Sequence, residues 1–353
     1  MDRITISTNE NFKSEILIQE DLKNNIQNFF EDKKYFLITN TTLAKLYPNF
    51  LYKFEPNRVI VIKDGEKYKN IKTYEYIINQ LLKEKIERKD CIVALGGGVI
   101  GDMAGYVASS ILRGVELIQV PTTLLAMCDS SIGGKTGFNS KYGKNLIGSF
   151  YLANKVLIDP LFLSTLNDYE FKCGLGEITK YAFIEKSCDK NSQFNLLKFL
   201  EENQTQDIKS QINFLIKASA TLKAHVVNND RLEGGLRKIL NFGHTYAHAI
   251  ETTYNYKGIS HGEAVAHGMV FASKLATIKN IISSDYCEQI INILQKFELT
   301  KKPLKYKKEN IAKLMLHDKK VIDGKINLLL PTAQREVALF DNIDLLSVEA
   351  SLL

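Results

Sequence analysis

Short apolar runs alternate with helical patterns in the first half of the chain. Five runs rich in β-branched and apolar residues are typical of strands: 35–39, 58–62, 91–95, 116–120 and 155–158. Continuous apolar runs of this kind suit a parallel sheet that is buried on both faces. Between two of them, apolar residues recur at helical spacing at Ile71, Tyr74, Ile78, Leu81 and Leu82. The alternation predicts a doubly wound α/β domain with a parallel sheet over residues 1–165.

The pattern changes after Pro160, where the spacing becomes mainly helical. One long amphipathic helix is predicted from the apolar residues Ile208, Ile212, Leu215, Ile216, Ala218 and Leu222. Two later runs, 325–330 and 336–340, flank Pro331 and predict a small β-hairpin. The second half, residues 166–353, is therefore expected to be a mainly α-helical domain.

Composition narrows the class of protein. The 353 residues are 45% hydrophobic and 24% charged with a net charge of +6, which is ordinary for a soluble globular chain. The sequence shows no run of 18 apolar residues and no apolar signal-peptide core. The lysines near 301–308 are expected to be a solvated face rather than a nucleic-acid site. Five cysteines without a CxxC pair indicate a reducing compartment, so we expect a cytoplasmic protein.

A glycine-rich loop follows the run 91–95. Gly96, Gly98 and Gly101 satisfy the GxGxxG pattern and precede a helix-like stretch. A strand that leads through glycines into a helix allows backbone amides to approach a pyrophosphate, although a tight structural turn explains the motif equally well. The acidic residue that usually contacts the ribose is missing from its expected place. A second loop, 132–137, lacks the glycine that a P-loop requires six residues before its lysine, where this chain has Asp129.

Histidines and carboxylates cluster in the second half. Glu177 and Lys180 are three residues apart and, taken alone, are expected to form a surface ion pair. The imidazoles of His244 and His248 would share one helix face, as a zinc-chelating pair does. Spacing leaves the ligand set open among six residues: His244, His248, His261, Glu177, Glu251 and Glu263. Structural roles are expected for His225, His267 and His317.

Twelve ordered blocks between Asp64 and Pro331 resemble the 3-dehydroquinate synthase family. They are 64–69, 96–102, 112–115, 119–126, 129–136, 143–148, 176–181, 235–237, 240–244, 248–251, 261–265 and 318–320. The resemblance implies an N-terminal Rossmann-like domain that holds NAD and a helical C-terminal domain that holds one divalent metal, zinc or cobalt. It also implies an active site in the cleft between the domains, and a homodimer.

The resemblance assigns the site residues individually. The metal ligands correspond to Glu177, His244 and His261, which makes His248 a substrate-side residue. The NAD contacts correspond to Asp64, Gly65, Glu66, Lys67, Tyr68, Lys69, Gly98, Val99, Ile100, Gly101, Asp102, Thr122, Thr123, Lys135, Lys144, Phe162, Leu163, Ser164 and Thr165. Glu66 then provides the missing ribose contact. The substrate-side residues correspond to Arg113, Asp129, Lys135, Lys144, Asn145, Lys180, Lys223, Glu233, Arg237, Asn241, His248 and one of Lys319 and Lys320.

The implied substrate is 3-deoxy-D-arabino-heptulosonate 7-phosphate. Its phosphate is expected to be held by Lys135, Asn241, His248 and Arg113, and its carboxylate by Arg237. The family chemistry is a transient oxidation by NAD, β-elimination of phosphate, re-reduction and aldol closure. Alternatives are a cyclase for a sugar phosphate without a carboxylate, a metal-dependent polyol dehydrogenase, and a silent binding protein on the same fold.

Overall fold

The structure, a computed structural model, describes residues 1–7, 12–316, 321–322 and 325–352. The chain divides into two units, Met1–Asn167 and Asp168–Leu353. The strands of the first unit are β1 (Asp2–Ser7), β2 (Lys13–Ile18), β3 (Tyr35–Asn40), β4 (Val59–Ile62), β5 (Cys91–Gly96), β6 (Glu116–Pro121), β7 (Lys135–Ser140), β8 (Gly143–Phe150) and β9 (Lys155–Ile158). Its helices are α1 (Leu22–Asn25), α2 (Thr41–Leu46), α3 (Pro48–Leu51), α4 (Ile71–Lys83) and α5 (Gly98–Ser110).

Among the described residues, seven strands of the first unit form one sheet in the order β1-β2-β9-β6-β5-β3-β4. All neighbours pair in parallel except β1, which runs antiparallel to β2. The strands β3 and β5 are buried along their whole length, which confirms the parallel sheet that the apolar runs predicted. The carboxyl ends of β5 and β6 lie side by side, with Gly96 paired to Pro121. Loops that leave this edge are therefore neighbours.

Two strand pairs of the first unit were not predicted, β1–β2 and the hairpin β7–β8. Most residues of β8 are exposed, and its glycines and lysine interrupt any apolar run. A half-exposed, glycine-rich strand gives no continuous hydrophobic signal, so its sequence resembles a loop. The hairpin packs against α5, the helix that follows the glycine-rich loop.

Helices dominate the second unit. They are α6 (Asp168–Cys188), α7 (Leu196–Glu202), α8 (Thr205–Ser210), α9 (Ile212–Asn229), α10 (His244–Thr253), α11 (His261–Ile278), α12 (Ser284–Lys296), α13 (Lys308–Leu316) and α14 (Leu345–Ser351). The strands are β10 (Val321–Ile322), β11 (Lys325–Ala333) and β12 (Glu336–Ile343), and antiparallel β11 and β12 confirm the predicted hairpin. No helix in the described ranges is both long and apolar enough to cross a bilayer.

The long helix predicted across residues 208–222 is confirmed from Ile212 onward, as part of α9, but Ile208 belongs to a separate helix. The helix breaks at Gln211, which separates α8 from α9. At the end of α8, the Ser210 hydroxyl donates to the Asp207 carbonyl at 2.9 Å. Serine that bonds to local backbone in this way competes with continued helix.

Glycines bring α6, α10 and α11 unusually close together. A Cβ built on Gly176 would lie 2.6 Å from the Cα of Gly262, so the backbones of α6 and α11 touch at this point. Gly243, which precedes α10, has a φ of 77°, and a Cβ there would lie 2.8 Å from the Val265 carbonyl oxygen. Larger residues at these positions would separate the helices. The same three helices carry the predicted metal ligands.

Candidate active site

Glu177, His244 and His261 converge in the second unit. Their donor atoms all lie within 4.8 Å of one another. The Glu177 Oε1 atom is 3.5 Å from Nε2 of His244 and 3.5 Å from Nε2 of His261. Glu177 is only 1% exposed. One carboxylate oxygen and two imidazole nitrogens thus face a common point.

Partners on the far side of each imidazole orient both rings. The Nδ1 atom of His244 lies 3.1 Å from the Phe242 carbonyl, and the Nδ1 atom of His261 lies 3.4 Å from Glu251 Oε1. A carbonyl oxygen only accepts, so His244 carries its hydrogen on Nδ1 and presents the Nε2 lone pair to the common point. Ligand histidines in metal sites are usually held in this manner.

Helix starts place the two histidines. His261 is the first residue of α11, whose start is fixed by a capping box: the Ser260 N–H donates to Glu263 Oε2 at 2.8 Å, and the Glu263 N–H donates to Ser260 Oγ at 3.2 Å. His244 is the first residue of α10. Glu263, which spacing left open as a ligand, is therefore a capping residue. His248 lies one turn after His244 and is exposed, with 5.9 Å between the two ring centroids.

The protonation of the cluster reflects its two carboxylates. Burial lowers the pKa of His244 to about 3. Burial also acts to lower the pKa of His261, but hydrogen bonds to Glu177 and Glu251 outweigh it and raise that pKa to about 10. A bound cation and a proton on His261 would therefore compete for the same lone pair.

Lys180 lies beside this cluster, and its Nζ atom pairs with Glu177 Oε2. The two residues are each 1% exposed, so the surface ion pair expected from spacing alone is wrong. They lie in α6, a helix that packs against α9 and α11, and desolvation makes an unpaired charge at such a buried position costly. The pair belongs to the buried polar centre of the second unit.

A loop before α10 presents the other polar residues of this unit. Its backbone is held by Asp230, which accepts the N–H groups of Gly235 and Arg237 at 2.7 and 2.9 Å. Arg237 is 1% exposed and donates from Nη1 to the Arg231 carbonyl at 2.6 Å. Asn241 donates to Glu233 Oε1 at 2.6 Å.

Lys223, in α9, is also buried. His317, Lys319 and Lys320 lie outside the described residues, so their expected roles stay predictions.

In the first unit, the glycine-rich loop joins the end of β5 to the start of α5. A Cβ on Gly97 would lie 2.9 Å from Thr123 Cγ2, so the loop passes close to the segment that follows β6. The Thr122 N–H donates to the Gly96 carbonyl at 3.1 Å. The first backbone bond at this end of α5 runs from the Gly101 N–H to the Gly97 carbonyl at 3.0 Å, and the N–H groups before it belong to the unpaired first turn that every helix has.

Asp64 receives two hydrogen bonds that were not predicted from the sequence. Asn40 Nδ2 donates to Asp64 Oδ1 at 3.0 Å, and Thr42 Oγ1 donates to Asp64 Oδ2 at 2.8 Å. Asn40 is the last residue of β3 and Thr42 follows it closely. The sequence did carry a signal for Asn40 and Thr42, because both are polar residues at the carboxyl end of a buried strand. Ligands of α/β sheets bind at that edge.

Lys69 and Glu66 each contact the β7–β8 hairpin. Lys69 Nζ donates to Asp102 Oδ2 and to Asn145 Oδ1, both at 2.5 Å. Glu66 Oε1 accepts from Asn139 Nδ2 at 2.7 Å. Asn139 was not predicted as a site residue, and its place in an unrecognised strand gave no signal.

Comparison with known proteins identifies the family. The 3-dehydroquinate synthase N-terminal model matches residues 59–173, and the C-terminal model matches residues 174–321. The chain is 41% identical over 326 residues to the 3-dehydroquinate synthase of a Nitratiruptor species, which covers 90% of both chains. The chain belongs to the 3-dehydroquinate synthase family. The enzyme of that name from Prochlorococcus marinus is 38% identical over 346 residues, with 94% of this chain and 93% of the relative covered.

Solved structures of cyclases share the fold of this family member. A 2-deoxy-scyllo-inosose synthase, crystallised with carbaglucose-6-phosphate, NAD+ and Co2+, is 25% identical with a TM-score of 0.88 and covers 99% of this chain and 98% of its own. The 2-epi-5-epi-valiolone synthase of Streptomyces hygroscopicus, with NAD+ and Zn2+ bound, is 23% identical with a TM-score of 0.84 and 98% coverage of both chains.

The other site residues that the family resemblance assigns to the first unit differ in how exposed they are. Lys135 and Arg113 are exposed, whereas Asp129 and Lys144 are half-buried. Arg113 has a φ of 64° and follows Leu112, whose φ is 50°, so two consecutive residues are in the left-handed region. Phe162 is buried against Tyr47 with 5.0 Å between ring centroids. Phe162 is thus closed to a ligand, whereas Ser164 and Thr165 are exposed.

Proposed function

We propose that this protein converts 3-deoxy-D-arabino-heptulosonate 7-phosphate into 3-dehydroquinate and phosphate, a step of the shikimate pathway that leads to aromatic amino acids. The observation that carries the proposal is the convergence of Glu177, His244 and His261 in a chain of the 3-dehydroquinate synthase family. The enzyme is a carbon–oxygen lyase. NAD is regenerated within each turnover, so the net reaction consumes none.

The convergent trio fits one divalent cation, zinc or cobalt. Two imidazole nitrogens and one carboxylate oxygen are a common ligand set of catalytic zinc, and three protein ligands leave a position open. Because the Nδ1 atoms of His244 and His261 are engaged elsewhere, their Nε2 atoms are available to the ion. Lys180 holds Glu177 from the other side.

The glycine-rich loop of the first unit fits the pyrophosphate of NAD. The backbone at Gly97 and Gly98 has no Cβ to block an approaching phosphate, and the start of α5 offers N–H groups and the positive end of a helix dipole. We assign Glu66 to the ribose hydroxyls and Asp102 and Lys69 to the same side of the dinucleotide. When bound, NAD supplies a reversible hydride acceptor and the cation supplies a Lewis acid.

Three cations of the second unit suit an anionic substrate. Lys180, Lys223 and Arg237 are all buried, which is rare for charged residues without a function or a partner. The planar fork of Arg237 suits the carboxylate of the substrate, and Asn241, held by Glu233, suits a phosphate oxygen. A substrate without a carboxylate would leave the Arg237 fork without its match.

Lys180 and His248 are the groups that we assign to the first proton transfer. Lys180 contacts the ligand Glu177, and His248 is exposed one turn beyond His244, so both lie beside the ligand set. We assign no protein base to the later loss of the C6 proton, because the substrate phosphate itself is a sufficient base for its own elimination.

Coupled measurement of dehydroquinate formation and phosphate release tests the proposal. We expect one phosphate per dehydroquinate, a requirement for NAD in catalytic amounts, and loss of activity with a chelator. Consumption of one NAD per product would overturn the cyclase assignment and favour a metal-dependent polyol dehydrogenase. Turnover of glucose 6-phosphate or sedoheptulose 7-phosphate in preference to the carboxylate substrate would favour another sugar-phosphate cyclase.

We also propose that the protein is a cytoplasmic homodimer. Homodimers are the family expectation, and sedimentation velocity tests it, with a monomer at assay concentrations as the contrary result. All five cysteines are among the described residues and none forms a disulfide, which suits a reducing compartment. Fractionation of cells with an antibody to the protein tests the location.

A further inference from the structure

Asn139, in β7, joins two segments that the proposed function assigns to the cofactor. Its backbone N–H donates to the Lys69 carbonyl at 2.9 Å. Its side-chain Nδ2 donates to Glu66 Oε1 at 2.7 Å, and its Oδ1 accepts the Asn145 N–H at 2.9 Å. One residue therefore connects the turn before α4 with the start of β8 through three hydrogen bonds.

The partners determine which way the Asn139 amide faces. The backbone N–H of Asn145 can only donate, and the ionised carboxylate of Glu66 can only accept. The amide oxygen must therefore face Asn145 and the amide nitrogen must face Glu66. A carboxylate at position 139 would keep the first bond and turn the second into a repulsion, so the two bonds can be separated by substitution.

Lys69, in the turn before α4, also bonds to Asn145 at the start of β8. Its Nζ atom donates to Asn145 Oδ1 and to Asp102 Oδ2, each at 2.5 Å, and the residue is 4% exposed. Asn145 has a φ of 54°, in the left-handed region that asparagine tolerates better than most residues. Its backbone is thus held by Asn139 and its side chain by Lys69.

We propose that Asn139 is a positioning residue for the dinucleotide. It holds the Glu66 carboxylate in one orientation toward the ribose and keeps Asn145 in the conformation that pairs with Lys69. The inference rests on the proposed function, since that function assigns Glu66 to NAD. Glu66 is exposed, so without Asn139 its carboxylate would occupy several rotamers, and NAD binding would have to order it.

A reciprocal substitution tests this role by direct binding of NAD+, measured by isothermal titration calorimetry. N139D replaces the donor to Glu66 by a like charge and is expected to weaken NAD+ binding by about tenfold to a hundredfold. In N139D/E66Q, the new amide at position 66 donates to the new carboxylate at position 139. Its affinity is expected to lie within about threefold of that of E66Q alone.

The control is S140A, which removes the hydroxyl that accepts the Tyr142 N–H at 3.1 Å in the same hairpin. S140A is expected to bind NAD+ like the wild type. A purely structural role for Asn139 would lower the melting temperature of N139D without rescue of affinity by E66Q. If N139D does not fold, the NAD+ affinity of N139D/E66Q is compared with that of E66Q. Similar affinities in these two variants support the proposal.

Two results would overturn the inference: wild-type affinity in N139D, or an N139D/E66Q affinity more than about tenfold below that of E66Q. Cyclase activity is measured separately on the wild type. A wild type that binds NAD+ without forming dehydroquinate contradicts the proposed function and leaves the binding comparison valid. An active wild type with an N139D variant that binds normally contradicts the role of Asn139 alone.

Discussion

The two candidate sites are held in place by different physical means. In the second unit, Glu177 is buried in the centre of α6, and glycine contacts between helices set its distance to His244 and His261. In the first unit, Glu66 is exposed and is oriented by a hydrogen bond from Asn139. Substitutions in the helical cluster should therefore change stability and metal binding together. Substitutions near Glu66 should change ligand affinity and leave stability nearly unchanged.

The largest effect is expected for H261A, which removes one of the three convergent donors. Loss of an outer partner alone reduces metal affinity by about 10- to 100-fold, so loss of a ligand should reduce it by at least about 100-fold and abolish turnover. Metal content after dialysis, measured by mass spectrometry, and dehydroquinate formation are the readouts. The matched control is H248A, one turn after His244 in α10, which should retain stoichiometric metal while losing activity. Metal-free H248A with metal-loaded H261A would reverse the ligand assignment.

The next effect concerns the contact between α6 and α11, the helices that carry Glu177 and His261. In G176A, the added Cβ would lie 2.6 Å from the Gly262 Cα, so α6 and α11 must separate. We expect a loss of about 1 to 3 kcal/mol in the free energy of unfolding, with weaker metal binding. The control is G234A, because nothing lies within 4 Å of a Cβ at that exposed position. Equal denaturation midpoints for the two variants would show that the contact is not tight.

How far the sequence predicts these sites depends on how local their signals are. Buried strands and the glycine-rich loop are local patterns, and the structure contains both. The convergent trio is not local, because Glu177, His244 and His261 begin or occupy three different helices whose contacts depend on tertiary packing. Spacing alone pointed equally to His248, and only the family resemblance separated it from His261.

The hydrogen bonds around Asn139 could not be predicted from the sequence for a different reason. It lies in a hairpin whose outer strand is largely exposed, so no hydrophobic period marks the strand. The partners of Asn139 are 73 residues earlier, at Glu66, and six residues later, at Asn145. Neither separation corresponds to a known motif. Side-chain hydrogen bonds of this kind depend on register, which a single sequence does not reveal.

His267 is a buried polar residue of the second unit that is not part of the cluster of Glu177, His244 and His261. It lies in α11, and its Nε2 atom has no hydrogen-bond partner among the described residues. Burial lowers its pKa from 6.5 to about 4, so the unfolded chain binds the proton more tightly than the folded one. Stability contributed by the neutral ring is present above about pH 6.5 and is lost as the pH falls toward about 4.

For H267L we therefore expect a smaller loss of stability on acidification than for the wild type. The difference should reach about 2 kcal/mol near pH 5, from about 1.4 kcal/mol per pH unit between the two pKa values. Urea denaturation at several pH values measures it, and the metal content should be unchanged. Parallel pH profiles for the two proteins would mean that the pKa of His267 is the same in the folded and the unfolded chain.

The smallest effect is expected for T42V in the first unit. This substitution removes the hydroxyl that donates to Asp64 Oδ2 at 2.8 Å and keeps the shape of the side chain. Because Thr42 and Asp64 are exposed, the free energy of unfolding should change by less than about 0.5 kcal/mol. NAD+ affinity should fall by about threefold, since Asp64 keeps its bond from Asn40 and loses only one of two donors. The neighbouring T41V, also exposed, is the control and should bind like the wild type. A stability loss in T42V as large as that in G176A would remove the distinction between an exposed site ordered by hydrogen bonds and a buried site ordered by helix packing.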